Sequence, residues 1–468
     1  MEHSRRTFLG TLAAGAAAMA ADDPAWLGIA EAGALLGKRA LSSVELTEAC
    51  LRRIERGKAL NAFITVTREE ALRQARAADA ELRAGRRRGT LHGIPVALKD
   101  VIDTAGIRTT AGSAHYADRV PREDAEVVRR LKAAGAVLLG KLNMDEFAYN
   151  FTSETSHFGP SRNPWDTRRS PGGSSGGAGI AVAAGMCLAA LGSDTGGSVR
   201  LPAALCGITG LKPSYGRIST RGVLPLAWSL DHVGPMCRSA RDIALVLATV
   251  GNRPAALRRD PKQLRLGVPR GNFWDGVDPQ VERAVREAAG ELGRLSAGVG
   301  EAPFTALPPS DGWPDLPRDY SYVISAEAYT YHQEMLKRSP ERYHPGTRRT
   351  LEGGAGVGAA DYIRARREME RLRADSASAF GGADILVTPT APGPAFALGG
   401  SPSLAWLRNS APWNVYGLPA ISIPCGFSAD GLPLAVQLTA RAGEDETLLA
   451  LCESYQRATG WHAKHPPA

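Results

Sequence analysis

The chain has 468 residues, 44% of them hydrophobic, and a formal net charge of +8, which suffices for one large α/β domain or two ordinary ones. A nucleic-acid binder would gather its positive charge on one face with interleaved aromatics, whereas here arginines alternate with acids along helical stretches such as 51–56 and 362–373, and Arg86-Arg87-Arg88 reads as a solvated loop. Composition therefore argues against a nucleic-acid partner.

The N-terminus opens with Ser4-Arg5-Arg6-Thr7-Phe8-Leu9-Gly10 and an alanine-rich apolar run, which reads as a twin-arginine export signal. Ala18-Met19-Ala20 fits the small-x-small cleavage pattern, so a signal peptide over 1–20 and a mature domain over 21–468 are expected. The alternative is a frayed N-terminal helix. Export implies the translocase as a transient partner and a periplasmic or secreted product. The apolar run is too short for a stable membrane span, and no other segment qualifies. Cysteines 50, 187, 206, 237, 425 and 452 form no close pairs and no metal spacing, and the nine histidines include no His-Glu-x-x-His. Buried thiols are expected, with no catalytic metal and no cofactor.

Further along, 27–36 reads as an amphipathic helix, and Ser42-Ser43-Val44-Glu45 as a capping box opening a second over 46–54. A third helix is expected over 69–82, a strand over 90–99, a helix over 124–134 and a buried strand over 136–139. A helix over 175–185 and a strand over 187–191 follow. Residues 252–264 read as a surface loop, 264–268 as a strand and 281–295 as a helix. The proline-rich 306–318 reads as a lid-like or linking loop. Tyr320, Tyr322, Tyr329 and Tyr331 either pack on a helix or line a substrate pocket. Residues 353–358 read as flexible and 361–380 as a long charged helix. Alternating strands and helices predict a sheet with helices on both faces, and no composition break divides the chain.

The stretch 172–213 stands apart. Two glycine-walled serine turns, 172–177 and 192–198, flank the helix and strand just described. Glycine permits positive φ and close backbone approach, and a hydroxyl on such a turn is well placed as a nucleophile. Tight packing is the bland alternative. A phosphate cradle is excluded in both its common forms. A P-loop requires Gly-Lys-Ser or Gly-Lys-Thr, but Gly177 precedes Ala178. A dinucleotide fingerprint needs a preceding strand, but Arg168-Arg169-Ser170-Pro171 stands there.

This block resembles the amidase signature family of serine hydrolases, and the resemblance extends on both sides. It includes Leu91-His92-Gly93-Ile94-Pro95-Val96-Ala97-Leu98-Lys99-Asp100, Gly216-Arg217-Ile218-Ser219 and Ser229-Leu230-Asp231-His232-Val233-Gly234-Pro235. It resumes at Thr388-Pro389-Thr390-Ala391-Pro392 and Pro419 to Gly426. The resemblance implies a single large α/β domain with a mixed twisted β-sheet core, and hydrolysis of a small-molecule amide through an acyl-enzyme. It leaves a homodimer open. On the family's motifs, Ser198 is the nucleophile, Ser174 the middle serine joined by a cis peptide bond, and Lys99 the base and later acid. Lys99, Ser174 and Ser198 are separated by 75 and 24 residues. Without the resemblance, Lys99 reads as a salt-bridge partner of a carboxylate. The resemblance also makes backbone N–H groups of Thr195, Gly196, Gly197 and Ser198 the oxyanion hole, Ser175 a supporting hydroxyl to the lysine, and Asp194 a brace for the oxyanion loop. Arg200 reads as a structural ion-pair partner. For Lys99 to serve as a neutral base, its pKa must fall by roughly 2–3 units.

The glutaminase subunit of the glutamine-dependent tRNA amidotransferase is similar too, sharing Lys141 to Phe147 and Ser161-Arg162-Asn163-Pro164-Trp165-Asp166. The chain departs from it in its export signal, which is incompatible with charging tRNA. It departs also at Met369 and Leu407, placed where those subunits carry charges that hold glutamine. The sequence favours an exported amidase over that glutaminase, and both over a silent binding protein of the same fold.

Overall fold

Eleven strands form one continuous sheet in a computed structural model that describes residues 23–253, 258–304, 307–311 and 314–467. The proposed signal peptide, 1–20, lies outside the described residues. The strands are β1 (Phe63–Val66), β2 (Pro95–Lys99), β3 (Val137–Leu142), β4 (Ala189–Asp194), β5 (Thr209–Lys212), β6 (His232–Cys237), β7 (Leu266–Pro269), β8 (Val299–Ala302), β9 (Ile385–Pro389), β10 (Ala420–Phe427) and β11 (Pro433–Ala440). Their order is β1-β3-β2-β4-β6-β5-β10-β11-β9-β7-β8. β2 runs parallel to β3 and β4, and β7 parallel to β8 and β9; the remaining pairs are antiparallel. The sheet is therefore mixed. Strands β2 to β6 are buried at every position, which requires helices over both faces.

Fourteen α-helices lie among the described residues: α1 (Ile29–Lys38), α2 (Ser43–Arg56), α3 (Arg68–Arg83), α4 (Glu126–Ala133), α5 (Gly176–Ala183), α6 (Arg200–Cys206), α7 (Ala240–Val250), α8 (Pro279–Arg294), α9 (Arg318–Arg338), α10 (Pro345–Gly353), α11 (Ala359–Ala374), α12 (Ala405–Arg408), α13 (Ala411–Val415) and α14 (Asp445–Thr459). The capping box holds as read. Ser42 Oγ accepts from Glu45 N at 3.1 Å, and the Glu45 carboxylate accepts from Ser42 N at 2.8 Å. Among the described residues no helix is long and apolar enough to cross a membrane. All six cysteines are free and buried.

Two expectations change. Residues 353–358 are not a loose hinge, because 354–356 form a 3₁₀ turn and Gly354 packs against the Ser325 carbonyl of α9. The helix expected over 361–380 is α11 alone; a 3₁₀ turn, Ser376–Phe380, takes its last residues.

Helix α5 positions the first serine turn, and its packing depends on glycine. A Cβ on Gly177 would meet the Ala62 carbonyl and lie within 2.7 Å of the Asn143 backbone, neither of which can rotate away. Gly290, inside α8, has nothing within 4 Å. Gly177→Ala is expected to cost about 3 kcal/mol, while Gly290→Ala should be neutral or stabilise by up to about 1 kcal/mol. Urea-unfolding midpoints of the two variants measure the difference, and equal midpoints would refute this packing account.

Candidate active site

Strands β2 and β4 lie side by side and parallel, with Leu98 opposite Leu191. Their carboxyl ends therefore open at the same edge, where ligand sites form in such sheets. Lys99 is the last residue of β2 and Asp194 the last of β4. Ser174 and Ser175 stand just before α5, and Ser198 two residues before α6. The two serine turns are tied directly, since Ser175 N donates to Ser198 O at 3.2 Å. The Gly173–Ser174 peptide bond is cis.

Lys99 Nζ lies 2.6 Å from Ser174 Oγ and 2.9 Å from Ser193 Oγ. The hydroxyls on the lysine are thus those of Ser174 and Ser193. Ser175 does not reach it; its Oγ donates to Ser193 O at 3.2 Å, a carbonyl that Lys99 Nζ also meets at 3.5 Å. The second hydroxyl on the lysine, expected from Ser175, is that of Ser193, because residue 193 is on the strand adjoining Lys99 while the Ser175 hydroxyl is turned to the Ser193 carbonyl. Among the described residues, no hydrogen bond joins the hydroxyls of Ser174 and Ser198.

Lys99 has no solvent exposure. Burial pushes its ammonium down to about 7, against the opposing pull of Asp145, Asp194 and Asp231. No salt bridge holds it within the described residues, unlike buried Lys141, which sits 3.4 Å from Asp100. Asp145 is also fully buried, which raises its carboxyl, while hydrogen bonds from Ser153 and Thr155 and the charge of Lys99 lower it. Its backbone N–H donates to Ser174 O at 3.3 Å. Asp145 so holds the turn that carries Ser174.

Asp194 organises the second turn. Burial raises its carboxyl, but the charge and hydrogen bonds of Arg200 prevail and hold it below the usual carboxylate range. Arg200 Nη2 is 2.8 Å from Asp194 Oδ1, and both side chains are inaccessible to solvent. Asp194 also accepts from Gly197 N at 2.9 Å and Val199 N at 3.1 Å, and Arg200 reaches Asn414, Gln437 and the Ser410 carbonyl. The carboxylate thus holds two amides of this turn, and Arg200 links it to Asn414, Gln437 and Ser410.

The Gly197 amide is consequently committed to Asp194, so it drops out of the expected set of oxyanion donors. Among the described residues, the N–H groups of Thr195, Gly196 and Ser198 have no protein acceptor. Gly197 carries φ +137°, and a Cβ there would strike Ser410 Oγ; only glycine fits. Ser410 Oγ in turn donates to Gly196 O at 2.6 Å. Thr195 Oγ1 donates to Asp231 at 2.6 Å, and burial pushes that carboxyl up to about 6.

Thr195, Gly196 and Ser198 line a cavity of about 190 Å³. Of the four tyrosines singled out in 320–331, Tyr320 lines it, and one turn on along α9 Ile324 does as well. Tyr331 instead meets the Tyr116 hydroxyl at 3.2 Å. The 306–318 loop contributes Leu316, and Leu407 reaches the cavity from α12. Met369 is buried in the core and does not line it.

Sequence reasoning did not assign Ser193, Asp145, Asp231, Asn414 or Ser410. Ser193 alone stands close to an element already read: it lies two residues beyond the strand expected over 187–191, and so on the same face as Leu191. The others meet the site across long stretches of chain that no spacing rule spans.

The Amidase family profile matches residues 45–449. A glutamyl-tRNA(Gln) amidotransferase subunit of Roseiflexus sp. (strain RS-1) is 43% identical, over 94% of this chain and 98% of that one. The crystal structure of an amidase superposes with a TM-score of 0.85 at 35% identity, over 92% of this chain and 99% of the other. A 6-aminohexanoate cyclic dimer hydrolase, solved with its substrate, does so at 0.83 and 28% identity, over 94% and 99%. A family match across most of the chain, together with fold neighbours that cleave amides, leads to one conclusion: the chain belongs to the amidase family and is an enzyme that hydrolyses carbon–nitrogen amide bonds.

Proposed function

We propose that the chain hydrolyses a carboxylic amide to acid and amine or ammonia with Ser198 as nucleophile, Ser174 as proton relay and Lys99 as base and acid. The observation that carries this reading is the contact between a desolvated Lys99 and the Ser174 hydroxyl at 2.6 Å. A lysine at about 7 is a free amine for much of its time near neutrality, and its lone pair can take a proton. Lys99 removes the Ser174 proton as Ser174 removes that of Ser198, whose Oγ attacks the amide carbon. The oxyanion is received by the open amides of Thr195, Gly196 and Ser198. When the tetrahedral intermediate collapses, the proton returns by the same route to the leaving nitrogen. Water then cleaves the acyl-enzyme with the relay running in the same sense as in the first attack.

A second reading is a glutaminase subunit of a tRNA amidotransferase, favoured by the 43% identity to the Roseiflexus amidotransferase protein. We further infer export by the twin-arginine route to the periplasm or beyond, on the strength of Ser4 to Gly10 and the cleavage pattern at 18–20.

Three outcomes are expected. Ser198→Ala should stay folded and lose its fluorophosphonate adduct; a full-stoichiometry adduct by intact mass would exclude Ser198 as nucleophile.

Activity on an amide should rise with pH through one ionisation near 7 and then level off, since Lys99 is inert below its pKa of about 7. Lys99→Ala should lower kcat/KM for an amide by about 10²–10⁴-fold and for the matched ester by less, because an alkoxide leaves without prior protonation. Lys99→Arg should not recover amide turnover, since guanidinium keeps its proton. Stability should follow the same group. Between about 7 and 10.5 the unfolded lysine holds a proton that the folded one has lost, so the wild type should gain stability relative to Lys99→Met as pH rises across that window. Urea midpoints of both at pH 7 and 10 check the sign.

Arg5→Lys combined with Arg6→Lys should trap the precursor in the cytoplasm; mature protein outside it, found by fractionation, would refute export.

A further inference from the structure

The cavity beside Ser198 carries information about the substrate that the catalytic groups do not. Its walls include Phe151, Leu226, Leu316, Ile324, Leu404 and Leu407. Its polar members, among them Asn150, Thr195, Tyr320 and Thr350, are all uncharged. Among the described residues no Asp, Glu, Lys or Arg lines it. The nearby carboxylates are already engaged, Asp194 by Arg200 and Asp231 by Thr195. Leu407 matters most by position: its Cδ2 lies 3.5 Å from where a Gly197 Cβ would stand, beside the turn that holds Ser198. Tyr320 is buried, with its hydroxyl against Gly196.

Free glutamine is a zwitterion. Seating its ammonium and carboxylate in this cavity would strip both of water without supplying a counter-charge, and unpaired buried charge is strongly disfavoured. An acyl group with an uncharged, apolar chain instead replaces water against leucine and isoleucine side chains. Resting on the amidase reading above, we propose that the enzyme selects amides of uncharged, apolar carboxylic acids and rejects free glutamine, with Leu407, Leu316, Ile324 and Tyr320 setting that choice. A volume of about 190 Å³ accommodates a short acyl chain.

The test compares L-glutamine with pentanamide, which keeps the carbon chain but has hydrogen for the amino group and methyl for the carboxylate. Binding is measured first on Ser198→Ala by saturation-transfer NMR, so that no turnover is needed. Pentanamide should bind and glutamine should not. Leu407→Asp should abolish pentanamide binding, and the milder Leu407→Asn should weaken it about tenfold should the aspartate variant fail to fold. In the wild type, kcat/KM for pentanamide should exceed that for glutamine by at least about 100-fold. Glutamine bound or hydrolysed as well as pentanamide would overturn the proposal, as would undetectable pentanamide binding or binding indifferent to residue 407. Pentanamide binding intact with neither amide hydrolysed would count against the Ser198 chemistry and leave the cavity assignment standing. Rapid glutamine hydrolysis abolished by Ser198→Ala would do the reverse.

Discussion

The dependence of this site on desolvation is concentrated in one side chain. Moving Lys99 from 10.5 to about 7 means that the fold disfavours ammonium over amine by about 5 kcal/mol. The surroundings must exclude water without supplying a carboxylate close enough to restore the charge. The chain contains a contrast in kind. Lys141 is equally inaccessible, but it sits 3.4 Å from Asp100 and meets the Ile102 carbonyl and the Thr109 hydroxyl at 2.6 Å. Asp100 favours a proton there, although burial still lowers Lys141. Lys99 meets the two hydroxyls of Ser174 and Ser193, groups that can donate to an amine as well as accept from an ammonium. What separates the two is the carboxylate beside Lys141, since both lysines are buried and both meet a hydroxyl.

Holding such a group requires rigid walls, which the Asp194–Arg200 pair supplies. A buried ion pair is weak evidence of net stability, because desolvation offsets much of its attraction. Here its value is geometric. One carboxylate fixes the Gly197 and Val199 amides while the paired guanidinium ties α6 to Asn414, Gln437 and Ser410. Segments far along the chain thus converge on the turn that presents Ser198. Committing the Gly197 amide to Asp194 also shows how the turn divides its donors. One N–H serves the scaffold, and those of Thr195, Gly196 and Ser198 remain open to a ligand.

Much of this was legible in the sequence, for reasons that can be stated. Periodicity located helices such as α2, α3 and α8 to within a few residues, but the buried strands β5, β6, β9, β10 and β11 carried no reading of their own; Ser42 to Glu45 announced a cap that the structure builds. The glycine-walled turns marked where backbone comes close. Resemblance placed Lys99, Ser174 and Ser198 on motifs that the fold then gathers at one sheet edge. What could not be read was partnership across distance. Ser175 follows Ser174 directly and looked like the lysine's second hydroxyl, but its Oγ donates to the Ser193 carbonyl at 3.2 Å, whereas the Ser193 hydroxyl on the neighbouring strand meets the lysine at 2.9 Å. The segment 353–358 looked loose because it is glycine-rich. In the fold, Gly354 permits close contact with α9.

The same helix shows how substrate selection and catalysis share one support. Along α9, Tyr320 and Ile324 face the cavity, and a turn further on Glu327 is buried. Its carboxylate accepts from Ser229 N at 2.9 Å, from the Ser229 hydroxyl and from Tyr362 at 2.9 Å. Ser229 belongs to the loop whose Asp231 takes the Thr195 hydroxyl and the amides of Leu226 and Ala227. One helix thereby presents the apolar wall and, through Glu327, Ser229 and Asp231, steadies the first residue of the turn leading to Ser198. A side chain that altered the wall by displacing α9 would disturb the turn as well.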